Sequence, residues 1–147
     1  MKKIILLIAL VAVAYLGFTQ SGHRGDRGDV GNGEVAAVDN GLATAIARRQ
    51  SKVPVQGEGI VTRVLSDDNA GIRHQRFIVR LGSGDTLLIA HNIDLAKRIE
   101  GLSTGDRVAF HGEYEWNPEG GVVHWTHRDP QGRHAAGWIE HKGQTYQ

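Results

Sequence analysis

Three histidines fall within eleven residues, His124-Trp-Thr-His127-Arg-Asp129-Pro-Gln-Gly-Arg-His134, with His141 a little further on. The chain holds eight His in 147 residues, and this is their densest stretch. Near neutral pH an imidazole can ligate a metal, move a proton or carry a switchable charge. Two kinds of chemistry follow. His124, His127 and His134 could ligate a divalent transition metal such as Zn, with a carboxylate completing the set. His127 could act as a general base with Asp129 orienting it, in a hydrolase acting on phosphodiesters or cell-envelope polymers. A third reading needs no ligand: the His side chains hydrogen-bond loop carbonyls and carboxylates and hold the Pro/Gly segment in place.

Spacing constrains the metal reading. Side chains on a strand alternate faces, so ligands of one ion sit at i and i+2. His124 and His127 are three apart. They converge only if the strand ends near Thr126 and the chain bends at Asp129-Pro130, a dipeptide that favours a turn. No His-Glu-x-x-His helix, nucleophile elbow, phosphate loop or dinucleotide fingerprint is present.

Further candidates lie upstream. His74 precedes Arg76 on one predicted strand, and His91 ends the next beside Asn92 and Asp94. Together with Trp138, these residues (His74, Arg76 and His91) form a candidate binding set for a small or anionic ligand at a barrel mouth, with His74 also a catalytic candidate. Trp116 and Trp125 read as cover for the core. His111 shares an outward face with Arg107, Ala109 and Glu113 and reads as surface. Arg73, Arg76 and Arg80 form a basic stripe, but the net charge is +1, and without Lys2 and Lys3 the remaining 15 basic residues meet 16 acidic ones. Nucleic acid is therefore not the expected partner. The sequence names neither the ligand nor the oligomeric state.

The length suits one domain. Gly is abundant at 20 residues against 3 Pro, which suits short strands joined by turns and excludes a coiled coil or a multi-pass membrane protein. The absence of Cys excludes disulfides, thiolate metal sites and an N-terminal lipid anchor. Residues 1–20 carry Lys2 and Lys3 followed by an uncharged run from Ile4 to Phe18, the pattern of a signal peptide. Left uncleaved, residues 4–18 would be the one membrane contact, an inner-membrane anchor facing the periplasm. The expected location is periplasmic or secreted. Residues 21–33 read as a flexible linker. Their two Arg-Gly-Asp tripeptides are unremarkable in such a stretch. Residues 34–50 place Val35, Val38, Leu42 and Ile46 at helical spacing, a short amphipathic helix.

From residue 51 the pattern is all-β. Strands are expected over Val55–Leu65, Arg73–Leu81, Thr86–Ala90, Arg107–Trp116 and Gly121–Thr126, with a final hairpin within Trp138–Tyr146. Phe77, Val79 and Leu81 should share a buried face, as should Val108, Phe110, Tyr114 and Trp116. Ile93, Leu95, Ile99 and Leu102 predict a short helix between strands three and four. Gly57 and Gly59 break the first strand, as at a barrel corner. This order predicts a small five-stranded OB-like barrel over residues 51–147, with a β-sandwich as the alternative.

Three stretches carry a resemblance: Arg73-His-Gln-Arg-Phe-Ile-Val79, Ile89-Ala-His-Asn-Ile-Asp-Leu95, and Gly112-Glu-Tyr-Glu-Trp-Asn117 running into Gly120-Gly-Val-Val-His-Trp-Thr-His127. Together they resemble the small exported bacterial proteins of domain-of-unknown-function family 3465, from about Ser51 to the C-terminus. In that family a second His usually follows the position of His127, where this chain has Arg128, and a Pro is usual where it has Lys97. The resemblance implies export and boundaries. It implies no activity.

Overall fold

The computed structural model describes residues 41–147. The expected signal peptide or anchor, the linker and the first part of the predicted helix lie outside the described residues. Residues 41–47 are helical (α1). Seven strands follow: β1 (Ser51–Val64), β2 (His74–Leu81), β3 (Thr86–Asn92), β4 (Arg107–Glu115), β5 (Val122–His124), β6 (Trp138–His141) and β7 (Gln144–Tyr146).

The length of β1 is what closes the sheet. Its first part pairs with β4, from Ser51 opposite Glu115 to Ile60 opposite Arg107. Its second part pairs with β2, from Gly59 opposite Leu81 to Val64 opposite Phe77. Gly59 lies in both ladders. A Cβ there would stand 2.7 Å from the Arg80 carbonyl oxygen, so this close strand approach admits only glycine. β2 pairs with β3 antiparallel, β3 with β5 parallel, and β5 with β4 antiparallel. The order β1-β2-β3-β5-β4 returns to β1 and makes a closed five-stranded, OB-like barrel, all-β with minor α. β6 continues alongside β4 below β5, and β7 pairs with β6.

Strict alternation builds the core. Phe77, Val79 and Leu81 point inward from β2, and Val108, Phe110 and Tyr114 from β4; all six are buried. Val55, Val61, Leu87, Ile89, Val123 and Ile139 complete the interior, and α1 adds Leu42 and Ala45. Leu42 occupies the space a Cβ on Gly57 would need, 3.0 Å from its Cδ2. Trp116, predicted inward, lies at the rim instead. It is half-buried against the core, with the Arg49 guanidinium 5.2 Å from its ring centre.

The predicted helix between strands three and four is not formed. The segment makes one turn, with Ala96 N–H donating to the Asn92 carbonyl at 3.1 Å, and then runs irregularly. Side chains from the strands capture its backbone. Gln75, buried on the inward face of β2, donates to the Ile99 carbonyl at 3.1 Å and accepts the Ile99 N–H at 2.8 Å. Asn92 Oδ1 accepts the N–H groups of Asp94 and Leu95. These bonds replace the i→i−4 ladder a helix would need. Leu95, counted in the helical stripe, is exposed.

Candidate metal centre on the outer face

β4 and β5 form a hairpin across Asn117–Gly121, and its register sets Glu113 opposite His124. Residues 113 and 115 are two apart on one strand and therefore share a face, here the outer one. His124 Nε2 lies 3.6 Å from Glu113 Oε1 and 3.6 Å from Glu115 Oε1. One donor atom from each of these three residues falls within 4.8 Å of the others. His134 reaches one of these carboxylates from the loop after β5, its Nδ1 3.9 Å from Glu113 Oε2.

The electrostatics suit a ligand. About a third of the His124 side chain is exposed, yet Nε2 itself is buried and has no hydrogen-bond partner. Burial lowers the His124 pKa, opposed by the Glu115 and Glu113 charges and assisted by His74 and His134. A neutral imidazole is the form that ligates. A buried nitrogen without a close partner, facing two carboxylates, is a place where a cation can join them.

The predicted trio is therefore only partly assembled. His124 and His134 each approach Glu113 at the outer face. His127 does not join them. It lies beyond the end of β5, buried, with its ring beside Trp125 (5.4 Å between centres) and its Nδ1 bonded to the Arg128 carbonyl at 2.8 Å. The strand ends earlier than expected, at His124, because Trp125 takes a left-handed backbone with φ 55°. The bend at Asp129-Pro130 exists but delivers His134, not His127. Asp129 does not orient His127 either. Its carboxylate accepts the N–H groups of Gln131, Arg133 and His134 at 2.9, 2.8 and 3.0 Å. Those bonds, that to Gln131 foremost, hold its pKa below the usual carboxylate range.

The upstream candidates divide. His74 begins β2 close enough to disfavour charge on His124. Arg76 donates Nε and Nη2 to the Ser66 carbonyl, at 3.1 and 3.0 Å. His91 is fully buried with both ring nitrogens engaged, by Thr126 Oγ1 at 2.8 Å and the Lys97 carbonyl at 3.1 Å, which leaves it nothing to offer a ligand. Trp138 stacks on His111 with ring centres 6.3 Å apart, so His111 is packed rather than free. His141 is buried against Asp106, Nε2 to Oδ2 at 2.8 Å, and ties the final hairpin to the β3–β4 segment.

Glu113 and Glu115 are the residues that reading the histidines alone overlooks. The signal was Glu-x-Glu on a predicted strand, followed by a tight hairpin that returns a His opposite the first Glu.

Comparison with curated proteins gives no match. The family described as protein of unknown function (DUF3465) matches residues 30–147, well over half of the chain. The chain with this barrel and its outer His/Glu cluster belongs to the DUF3465 family.

Proposed function

We propose that this protein is an exported metal-binding module, its OB-like barrel presenting Glu113, Glu115 and His124 to a divalent transition metal such as Zn. The observation that carries the reading is the buried, unpartnered His124 Nε2, 3.6 Å from each of two carboxylate oxygens. Bonds of about 2.0–2.2 Å to nitrogen and oxygen put tetrahedral ligand atoms roughly 3.4 Å apart. The existing spacing is thus close to a coordination shell, and strands rather than loops set it. Imidazole with carboxylates suits Zn and neighbouring transition ions better than calcium, which takes oxygen ligands. Export rests on the uncharged run behind Lys2 and Lys3, and it would place the module in the periplasm or outside the cell. Among the described residues no helix is long and apolar enough to cross a membrane.

The hydrolytic alternative draws no support from the loop, since His127 is buried with Nδ1 bonded to the Arg128 carbonyl and Asp129 is committed to backbone amides. The test is the metal content of the chain purified without a His tag, measured by elemental mass spectrometry beside His124→Ala and Glu113→Gln. Near-stoichiometric Zn, Cu or Ni in the wild type, lost in both variants, is expected. A wild-type protein that is empty and refuses added metal would sink the reading.

A further inference from the structure

A tetrahedral metal with three protein ligands keeps one position open for water or substrate, and that opening distinguishes catalytic from structural sites. What a metal at Glu113, Glu115 and His124 could do therefore depends on a fourth donor. We propose that His134 is that donor, so that the metal is enclosed by two carboxylates and two imidazoles and is held rather than used in catalysis. The inference rests on the metal reading above and deepens it.

His134 is placed for the role from two directions. Its Nδ1 stands 3.9 Å from Glu113 Oε2, outside the group of Glu113, Glu115 and His124 donor atoms that lie within 4.8 Å of one another, so closing the shell requires the ring to move toward them. Its ring lies flat on the Trp125 indole, 3.8 Å between centres and 8° between planes. Its backbone N–H is bonded to Asp129 Oδ2 at 3.0 Å. The loop is closed beneath it by Gly137 N–H donating to the His127 carbonyl at 3.0 Å. Backbone and ring are thus each held beside Glu113, on the side from which a fourth donor would approach. The platform itself is strained. Trp125 is a bulky residue at φ 55°, a conformation that persists only where surroundings impose it. What the strain achieves is to end β5 directly after His124 and to lay the indole beneath His134. Asp129 thereby has a role other than the one its neighbourhood suggested: it anchors the backbone of a ligand.

The geometry can be tested with cobalt(II) as the metal and azide as a probe for an open position, on the purified full chain. The wild type is expected to give a four-coordinate cobalt spectrum that azide leaves unchanged. Binding should also alter tryptophan emission, and that change should vanish in Trp125→Phe. His134→Ala should bind cobalt about tenfold or more weakly, and its spectrum should now respond to azide. His134→Gln keeps a planar group on Trp125 but supplies no imidazole, and it should behave as His134→Ala does. Wild-type affinity and spectrum in both variants would overturn the inference while leaving the metal site standing. So would a wild-type spectrum that already shifts with azide, or an emission change that survives Trp125→Phe. A chain that binds no metal at all overturns both readings.

Discussion

His91 Nδ1 lies 2.8 Å from the hydroxyl of Thr126, which ties the end of β3 to the chain just beyond β5. The Lys97 carbonyl, 3.1 Å from Nε2, can only accept, so Nε2 carries the proton and Nδ1 accepts from Thr126. One neutral ring thereby pins β3, the β3–β4 segment and the stretch leading to His134. The surroundings enforce neutrality. Burial first of all, then His127 and His74 nearby, lower the His91 pKa to about 4 against a partial opposing effect of the Lys97 carbonyl.

Stability should therefore fall with acidification across a defined window. Unfolded His91 takes a proton near pH 6.5, whereas the folded ring resists until about pH 4. Above pH 6.5 both states are neutral and the group contributes no pH dependence. Below it the unfolded state binds more protons, and stability declines until about pH 4, by roughly 3 kcal/mol from this group. Denaturant melts at pH 7.5, 5.5 and 4.5 check it. His91→Gln should flatten that slope, and an unchanged slope would remove His91 as its source.

Removing the ring should be expensive at pH 7.5, where it is neutral in both folded and unfolded states. His91→Ala leaves a cavity and strands the Thr126 hydroxyl and the Lys97 carbonyl, a combined cost of about 3 kcal/mol. His111→Ala, at a half-buried position with one bond to the Ala136 carbonyl, should cost about 1 kcal/mol. Equal losses in the two variants would show that the clasp is not special.

The barrel was legible because its strands obey period two without interruption. Phe77, Val79 and Leu81 against Arg76 and Arg80 on β2 leave one register, and Gly57 and Gly59 mark where β1 changes partners. The segment after β3 was not legible. Its conformation is decided by Gln75, His91 and Asn92, polar side chains that capture backbone groups, and hydrophobic spacing carries no trace of them. The candidate metal centre was half legible. Histidine density points to His124, His127 and His134, but β5 ends at His124, and His127 is buried in the segment beyond it. Glu113 and Glu115 looked like an ordinary solvated strand face until the hairpin register set His124 against them.

Gly112 should be intolerant of any side chain, with consequences for the centre as well as for the fold. A Cβ there would run into the His124 carbonyl oxygen and come within 2.9 Å of Val123 Cγ1 and 3.0 Å of Thr126 Cγ2. Relief requires β5 to move off β4, which separates His124 from Glu113. Gly112→Ala should lose about 3 kcal/mol, the upper end for overpacking, and any folded fraction should bind metal weakly. Gly132→Ala meets nothing nearby but must hold φ 64°, so its cost should stay near 1 kcal/mol and come from the backbone alone. Chemical denaturation of the two variants, with metal binding measured on the folded protein, separates packing from backbone strain.

A metal that binds the folded barrel and not the unfolded chain must raise its stability by mass action. At a free concentration a hundred times Kd the gain is about 2.7 kcal/mol. For a domain of this size that should lift Tm by about 10 °C or more, since each kcal/mol moves such domains by roughly 4–8 °C. Chelation should return the melt to its starting point. Glu113, Glu115 and His124 lie on adjacent strands rather than on loops, so the ion should clamp β4 to β5 and resist local opening of that hairpin. Hydrogen exchange should then slow at Tyr114 and Val123, which face each other in the β4–β5 ladder, and stay unchanged at Val61 and Val79 in the β1–β2 ladder. In His124→Ala, zinc should change neither the melting temperature nor the exchange. A zinc shift of wild-type size in that variant would place the ion elsewhere on the protein.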